Sequence, residues 1–250
     1  MISFLCLDFD GVILDSTKEC IYVALEAYQE LYDYKITNFS DKQLSRLKLL
    51  RPMVKGAGEY LKAIKIVIDE INVENILDFQ EYTFHSKYLI KDIEKFKEIF
   101  YQKRGFLIKN DINSWCKKHE YYSEIIYFIK SLKKEYFKNN FSFISLKDKY
   151  SIGKLLEFKG LSDKPKILDF KDIKCKSEGL NKICSNHQIK KNNILFIDDN
   201  PIHLIECLNS GYKNIFMPSW NQNCLNSIKD FPNLELISIK KLRYLFKDFL

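Results

Sequence analysis

The sequence predicts an α/β fold, a doubly wound Rossmann-like parallel sheet, with an inserted all-helical domain. Three observations predict it. Short, wholly apolar runs open the chain and recur through its second half, helical patterns separate most of them, and between about Thr17 and His119 the strand signal disappears. An unbroken apolar run reads as a strand buried on both faces, and strands alternating with helices imply right-handed crossovers and a parallel sheet. With 250 residues the chain is long enough to bury such a core without staples.

The first strand is predicted over Ile2 to Leu7, where the apolar run stops at Asp8 and a tight loop follows at Gly11. Further strands are expected at Phe141 to Ser145, Lys166 to Phe170, Ile194 to Ile197 and Ile215 to Met217. The helical stretches between them are Tyr122 to Leu132, Ser151 to Lys159, Lys176 to Ser185 and Ile202 to Asn209, the last closed by Gly211. In the insert, helical periodicity covers Glu19 to Leu31, Asp41 to Leu49, Gly58 to Glu70 and Tyr88 to Phe100. The tail adds an edge strand within Asn233 to Ile239 and a closing amphipathic helix over Lys240 to Leu250. The expected division is therefore an α/β core of residues 1–16 and 120–250 and a helical domain of residues 17–119.

Lys and Arg number 40 against 33 Asp and Glu, a net charge of +7 scattered along the chain. That excess reads as a solvated basic surface with a mild attraction for anions. No basic run with interleaved aromatics and no zinc-finger spacing occurs, so no nucleic-acid partner is expected. The 7 cysteines are odd in number and form no CxxC pair, which points to a reducing, cytoplasmic home. The N-terminus reads as a buried strand and not as a signal peptide, and no apolar run reaches the roughly 18 residues of a membrane span.

Ligands of a doubly wound sheet sit at the carboxyl ends of its strands. Just past the predicted strands stand Asp8 and Asp10 in DFDGV, Ser145, a lysine at 174 or 176, and the pair Asp198 and Asp199. Two carboxylates at i and i+2 on one loop, joined by a second acid pair, supply the hard oxygen ligands that Mg²⁺ prefers. A carboxylate kept ionised beside that ion can attack phosphorus and form an aspartyl-phosphate, the role assigned to Asp8. Asp10 then serves as acid/base, protonating the leaving oxygen and later taking a proton from the attacking water.

In order along the chain, LDFDGVILDS (Leu7 to Ser16), FISLKDK (Phe143 to Lys149), KSEGL (Lys176 to Leu180) and LFIDDNP (Leu195 to Pro201) resemble the four motifs of the haloacid dehalogenase superfamily of phosphatases. The position of the insert resembles the helical cap of its phosphoglycolate phosphatase and β-phosphoglucomutase branch. The resemblance implies that Ser145 hydrogen-bonds the phosphoryl group, that the lysine neutralises it, and that Asp8, the main-chain carbonyl of Asp10, Asp198 and Asp199 hold Mg²⁺. In the family the lysine lies four residues before a buried leucine, a spacing that Lys176 and Leu180 have and Lys174 lacks. A lysine in a helix's first turn is poorly placed for the macrodipole, so an anion in front of it better explains Lys176.

Two departures stand out. The acid that many members carry four residues after the fourth motif's aspartate is His203 here, with the doubled Asp198-Asp199 as compensation, and Ser145 is followed by Leu146 where a polar residue is frequent. His85, His119, His187 and His203 are dispersed and read as surface or capping residues, not as a zinc site. Cys6 reads as a small buried hydrophobe. In the insert, Arg51 and Lys55, beside a Pro and a Gly pair that read as a helix break, are candidate substrate contacts, while Tyr82, Phe84, Tyr88, Phe96, Phe100 and Tyr101 read as domain core. The expected activity is Mg²⁺-dependent hydrolysis of a small phosphorylated metabolite. Its rivals are a phosphomutase or phosphotransferase on the same scaffold and a non-catalytic regulatory module. A hydrolytic dehalogenase would not need Asp10 or the metal-binding acids.

Overall fold

A computed structural model describes residues 2–33, 39–73, 78–79, 88–161, 163 and 165–250, with the side chains of 88–90 excepted. The chain divides into two compact units, Met1–Asp15 with Glu120–Leu250, and Ser16–His119. In chain order the elements begin with β1 (Phe4–Leu7), β2 (Leu14–Asp15), α1 (Thr17–Tyr32), α2 (Asp41–Leu50), α3 (Glu59–Ile68), α4 (Tyr88–Asn110) and α5 (Ile112–Lys117). They continue with β3 (Glu120–Tyr121), α6 (Ser123–Ser131), α7 (Lys134–Asn139), β4 (Phe141–Ile144), α8 (Lys149–Phe158), β5 (Lys166–Leu168) and α9 (Lys176–His187). The last are β6 (Ile194–Ile197), α10 (Pro201–Asn209), β7 (Ile215–Pro218), α11 (Gln222–Ser227), β8 (Glu235–Ile237) and α12 (Ile239–Leu245).

The first unit is built on a six-stranded sheet in the order β5-β4-β1-β6-β7-β8. Every pairing in it is parallel. Every residue of β1, β4, β6 and β7 is buried, the outcome of placing helices on both faces. From β1 the chain winds out through β4 to β5, then returns to lay β6 against the other side of β1. This is the Rossmann order, and its direction reverses between β1 and β6. The strand ends that flank the reversal carry Asp8 and Asp198.

The predicted strand at Lys166 to Phe170 ends earlier, at Leu168, because Asp169 turns its carboxylate onto the backbone amides of Lys149 (2.9 Å) and Lys171 (3.0 Å). Gly211 (φ +87°) follows α10 as expected, and the amide of Tyr212 reaches back to the carbonyl of Cys207 at 3.1 Å. Sequence periodicity missed the ribbon of β2 and β3, which pair antiparallel where the chain leaves and re-enters this unit. Two residues per strand are too few to show a period.

The second unit is helical among its described residues. It packs Val23, Ala24, Leu61, Ile64, Ile66, Phe96 and Phe100 into a common core. Phe96 and Phe100 are thus core as expected, and Tyr101 packs partly buried against it. Tyr82, Phe84 and His85 lie outside the described residues, as does the side chain of Tyr88. The last predicted helix runs ten residues past Phe100, to Asn110. That extension carries Arg104, whose guanidinium grips the fully buried Glu19 carboxylate with two hydrogen bonds of 2.8 Å. Trp115 Nε1 donates to the same carboxylate at 3.0 Å, and His119, read from sequence as a surface or capping residue, is buried beside it. No helix among the described residues is long and apolar enough to cross a membrane.

Candidate active site

Asp8 stands at the first position after β1, where its amide still bonds the carbonyl of Ile197 at 2.8 Å. The loop then turns through Gly11 at φ +76°, a conformation that costs a side-chain-bearing residue energy. Glycine is required there twice over, because a β-carbon at position 11 would collide with the Asp199 carboxylate. The far side of the turn is held from the end of β7. Asn221 donates to the carbonyl of Gly11 and Trp220 to that of Val12, both at 2.9 Å. Neither residue carried a sequence signal for this task, since nothing local relates position 221 to position 11.

Lys176 is the first residue of α9, and its side chain is fully buried. Its Nζ lies 2.7 Å from Asp8 Oδ1 and 3.2 Å from Asp198 Oδ2, and it donates to the carbonyl of Ile144 at 2.7 Å. The helix can start so close to β4 because Gly179 faces Ile144, where a β-carbon would come within 2.6 Å of the isoleucine side chain. Lys174 is exposed, and its backbone amide donates to the Glu178 carboxylate at 2.8 Å. Of the two candidate lysines, only Lys176 reaches the acids.

Ser145 follows β4, is buried, and hydrogen-bonds the Asp8 carboxyl. Its hydroxyl also accepts from the amide of Lys147 at 3.3 Å. The Lys147 ammonium, buried, sits 3.3 Å from Asp10 Oδ1. Lys147 was missed in the sequence, though its place two residues after Ser145, on the same strand-end loop, was a usable signal.

Asp198 follows β6 directly and is fully buried. Besides Lys176 it accepts from the amide of Asn200 at 2.8 Å and faces His203 Nδ1 at 3.2 Å. The reading of His203 as a surface or capping residue is therefore corrected. It is buried in the first turn of α10, a helix capped by Asn200 and started by Pro201, and that turn aims it back at the strand end. His187 is exposed in the last turn of its helix, in line with expectation.

Burial opposes charge on Asp198, but the nearby Lys176 and His203 outweigh it and hold the carboxyl below its usual range. Burial likewise opposes charge on Lys176, and Asp198 and Asp8 outweigh it, so the ammonium persists. Asp8 is the group left at a disadvantage. Burial and the Asp198 charge push its pKa up, and the share of Lys176 left to it does not cancel them. Two buried carboxylates share one ammonium, an arrangement that a second cation would balance.

Asp8, Asp198 and His203 offer ligand atoms that all lie within 4.8 Å of one another. This grouping fits a divalent cation. It shares Asp8 and Asp198 with the expected set and adds His203; the Asp10 side chain faces Lys147, its main-chain carbonyl being the expected ligand, and the Asp199 carboxylate lies against Gly11. Arg51 and Lys55 belong to the helical unit. Arg51 donates to the Ser16 hydroxyl at 3.3 Å, and the backbone amide of Lys55 caps onto Glu59 at 2.5 Å.

The sequence matches no protein-family model and no curated protein. Solved structures do resemble it. A protein described as a haloacid dehalogenase-like hydrolase from Bacteroides fragilis superposes with a TM-score of 0.66 at 13% identity, covering 95% of this chain and 96% of its own. One described as a phosphoglycolate phosphatase from Lactobacillus delbrueckii gives 0.66 at 12% identity, with 96% of each chain covered. One described as a β-phosphoglucomutase from Thermotoga maritima gives 0.57 at 11% identity, covering 98% of this chain and 99% of its own. The fold is thus that of the haloacid dehalogenase-like hydrolases.

Proposed function

From this fold and the charge cluster at its switch point, we propose that the protein hydrolyses a small phosphate monoester through an aspartyl-phosphate on Asp8, with Mg²⁺ as cofactor. The observation that carries the reading is the buried Lys176 ammonium held between Asp8 and Asp198 at the carboxyl ends of β1 and β6. An ion pair that served stability alone would not need two acids for one base.

The substrate's phosphoryl group is bound in front of Asp8, where the Ser145 hydroxyl and the Lys176 ammonium meet its oxygens. Charge develops on those oxygens during transfer, so donors fixed in advance lower the barrier without reorganising. Asp8 attacks phosphorus, and the leaving oxygen takes a proton from Asp10. Asp10 then accepts the proton of the water that hydrolyses the aspartyl-phosphate, and the phosphate departs. Lys147 holds the Asp10 carboxyl in place at the mouth of the loop. Asp8 and Asp198 would hold the cation, which would offset their mutual repulsion and keep Asp8 ionised.

The helical unit would act as a cap that selects the leaving group, with Arg51 and Lys55 as its substrate contacts. Seven free cysteines support a reducing, cytoplasmic setting. A panel of phosphate esters assayed for phosphate release with Mg²⁺ and with chelator tests the reading. Release that requires the metal is the expected result, and no release across the panel would overturn it. Transfer of label to a second hydroxyl instead of water would mark a phosphotransferase.

A further inference from the structure

His203 is the feature of the site that the proposed mechanism leaves unused. The residue is 7% exposed, its Nδ1 faces Asp198 at 3.2 and 3.3 Å, and it shares with Asp8 and Asp198 the one grouping of potential metal ligands found among the described residues. Neighbouring ligands of an octahedral ion with bonds of about 2.1 Å stand about 3.0 Å apart, and opposite ones about 4.2 Å. The separation of His203 from Asp198 is close to the first figure, and all three ligand atoms lie within 4.8 Å of one another.

We propose that His203 is a nitrogen ligand of the cation held by Asp8 and Asp198, and that it shifts this site toward Mn²⁺ and Co²⁺ relative to Mg²⁺. The proposal rests on the phosphohydrolase reading for the presence of a cation. Magnesium favours oxygen donors, whereas imidazole suits first-row transition ions. An imidazole also adds a donor without adding charge, in a pocket where two carboxylates already share one ammonium. The Lys176 nitrogen is already engaged by three oxygens, those of Asp8, Asp198 and the Ile144 carbonyl.

Pulsed electron paramagnetic resonance of the wild-type protein with Mn²⁺ tests this directly, since a bound imidazole nitrogen imprints its hyperfine coupling on the ion. The coupling is expected in the wild type and absent in His203→Asn. In parallel, calorimetric titration with Mn²⁺ and with Mg²⁺ is expected to show the Mn²⁺-to-Mg²⁺ affinity ratio falling by about tenfold or more in His203→Asn, the scale seen when a metal site loses a partner. A wild-type Mn²⁺ complex without nitrogen coupling overturns the proposal whether or not the variant folds, and leaves the phosphohydrolase reading standing. An unchanged affinity ratio in a folded variant overturns it equally. Failure of the wild type to bind either ion overturns both.

Discussion

Glu19 in the helical unit and Asp8 in the α/β unit are both buried carboxylates, yet their partners differ in kind. Glu19 meets a guanidinium that grips both of its oxygens and an indole that donates to one of them. One acid faces one permanent cation with matched geometry, the arrangement in which a buried ion pair comes closest to repaying its desolvation. Asp8 shares a single ammonium with Asp198, and its pKa is pushed up by burial and by that second acid. Charge balance separates the two clusters. A buried acid whose charge is matched has a structural job, and one left short of positive charge is poised for a cation or an incoming group.

Changing Asp8 should break this contrast most sharply. Asp8→Asn removes the nucleophile and one metal ligand while adding no bulk, so hydrolysis should fall by roughly 10⁴-fold or more. The melting temperature should hold, because the substitution also relieves the repulsion with Asp198. Steady-state rates near those of the wild type would remove Asp8 from the chemistry. Asp10→Asn comes next, with a loss of roughly 10² to 10⁴-fold in kcat and little change in KM, since its role is proton transfer. An effect confined to KM would reassign Asp10 to binding.

Lys176→Ala should lower kcat/KM by about 10² or more, the scale for removing one fixed charge-stabilising donor. It should also lower stability, since two buried carboxylates then lack their shared cation. Lys174→Ala, on an exposed residue two positions away, should leave both measurements unchanged, and a reversal of the pair would move the catalytic lysine. In the helical unit, Glu19→Gln leaves Arg104 buried without its carboxylate, at a cost of about 3–5 kcal/mol. The melting temperature should drop by roughly 10 °C while kcat of the folded fraction holds. Loss of turnover without loss of stability would mean that Glu19 is not the structural counterpart described.

What the sequence determined by itself is tied to local rules. Buried parallel strands need unbroken apolar runs, so β1, β4, β6 and β7 were visible as such, and a doubly wound sheet puts its ligands at strand ends, so Asp8, Ser145 and Asp198 were visible with them. Gly11 was legible as a tight turn because few other residues take a positive φ. The tertiary structure alone decided how those ends meet. Lys174 and Lys176 look alike as neighbours in the chain, and only the start of α9 against Ile144 buries one and leaves the other in solvent. Lys147 and His203 acquire meaning from partners 137 and 5 residues away, and Asn221 from the backbone of a loop 210 residues earlier. Charge balance is likewise a property of the assembled cluster. Local periodicity can place an acid at a strand end, but only folding brings together the cations that decide whether its charge is spent or left available.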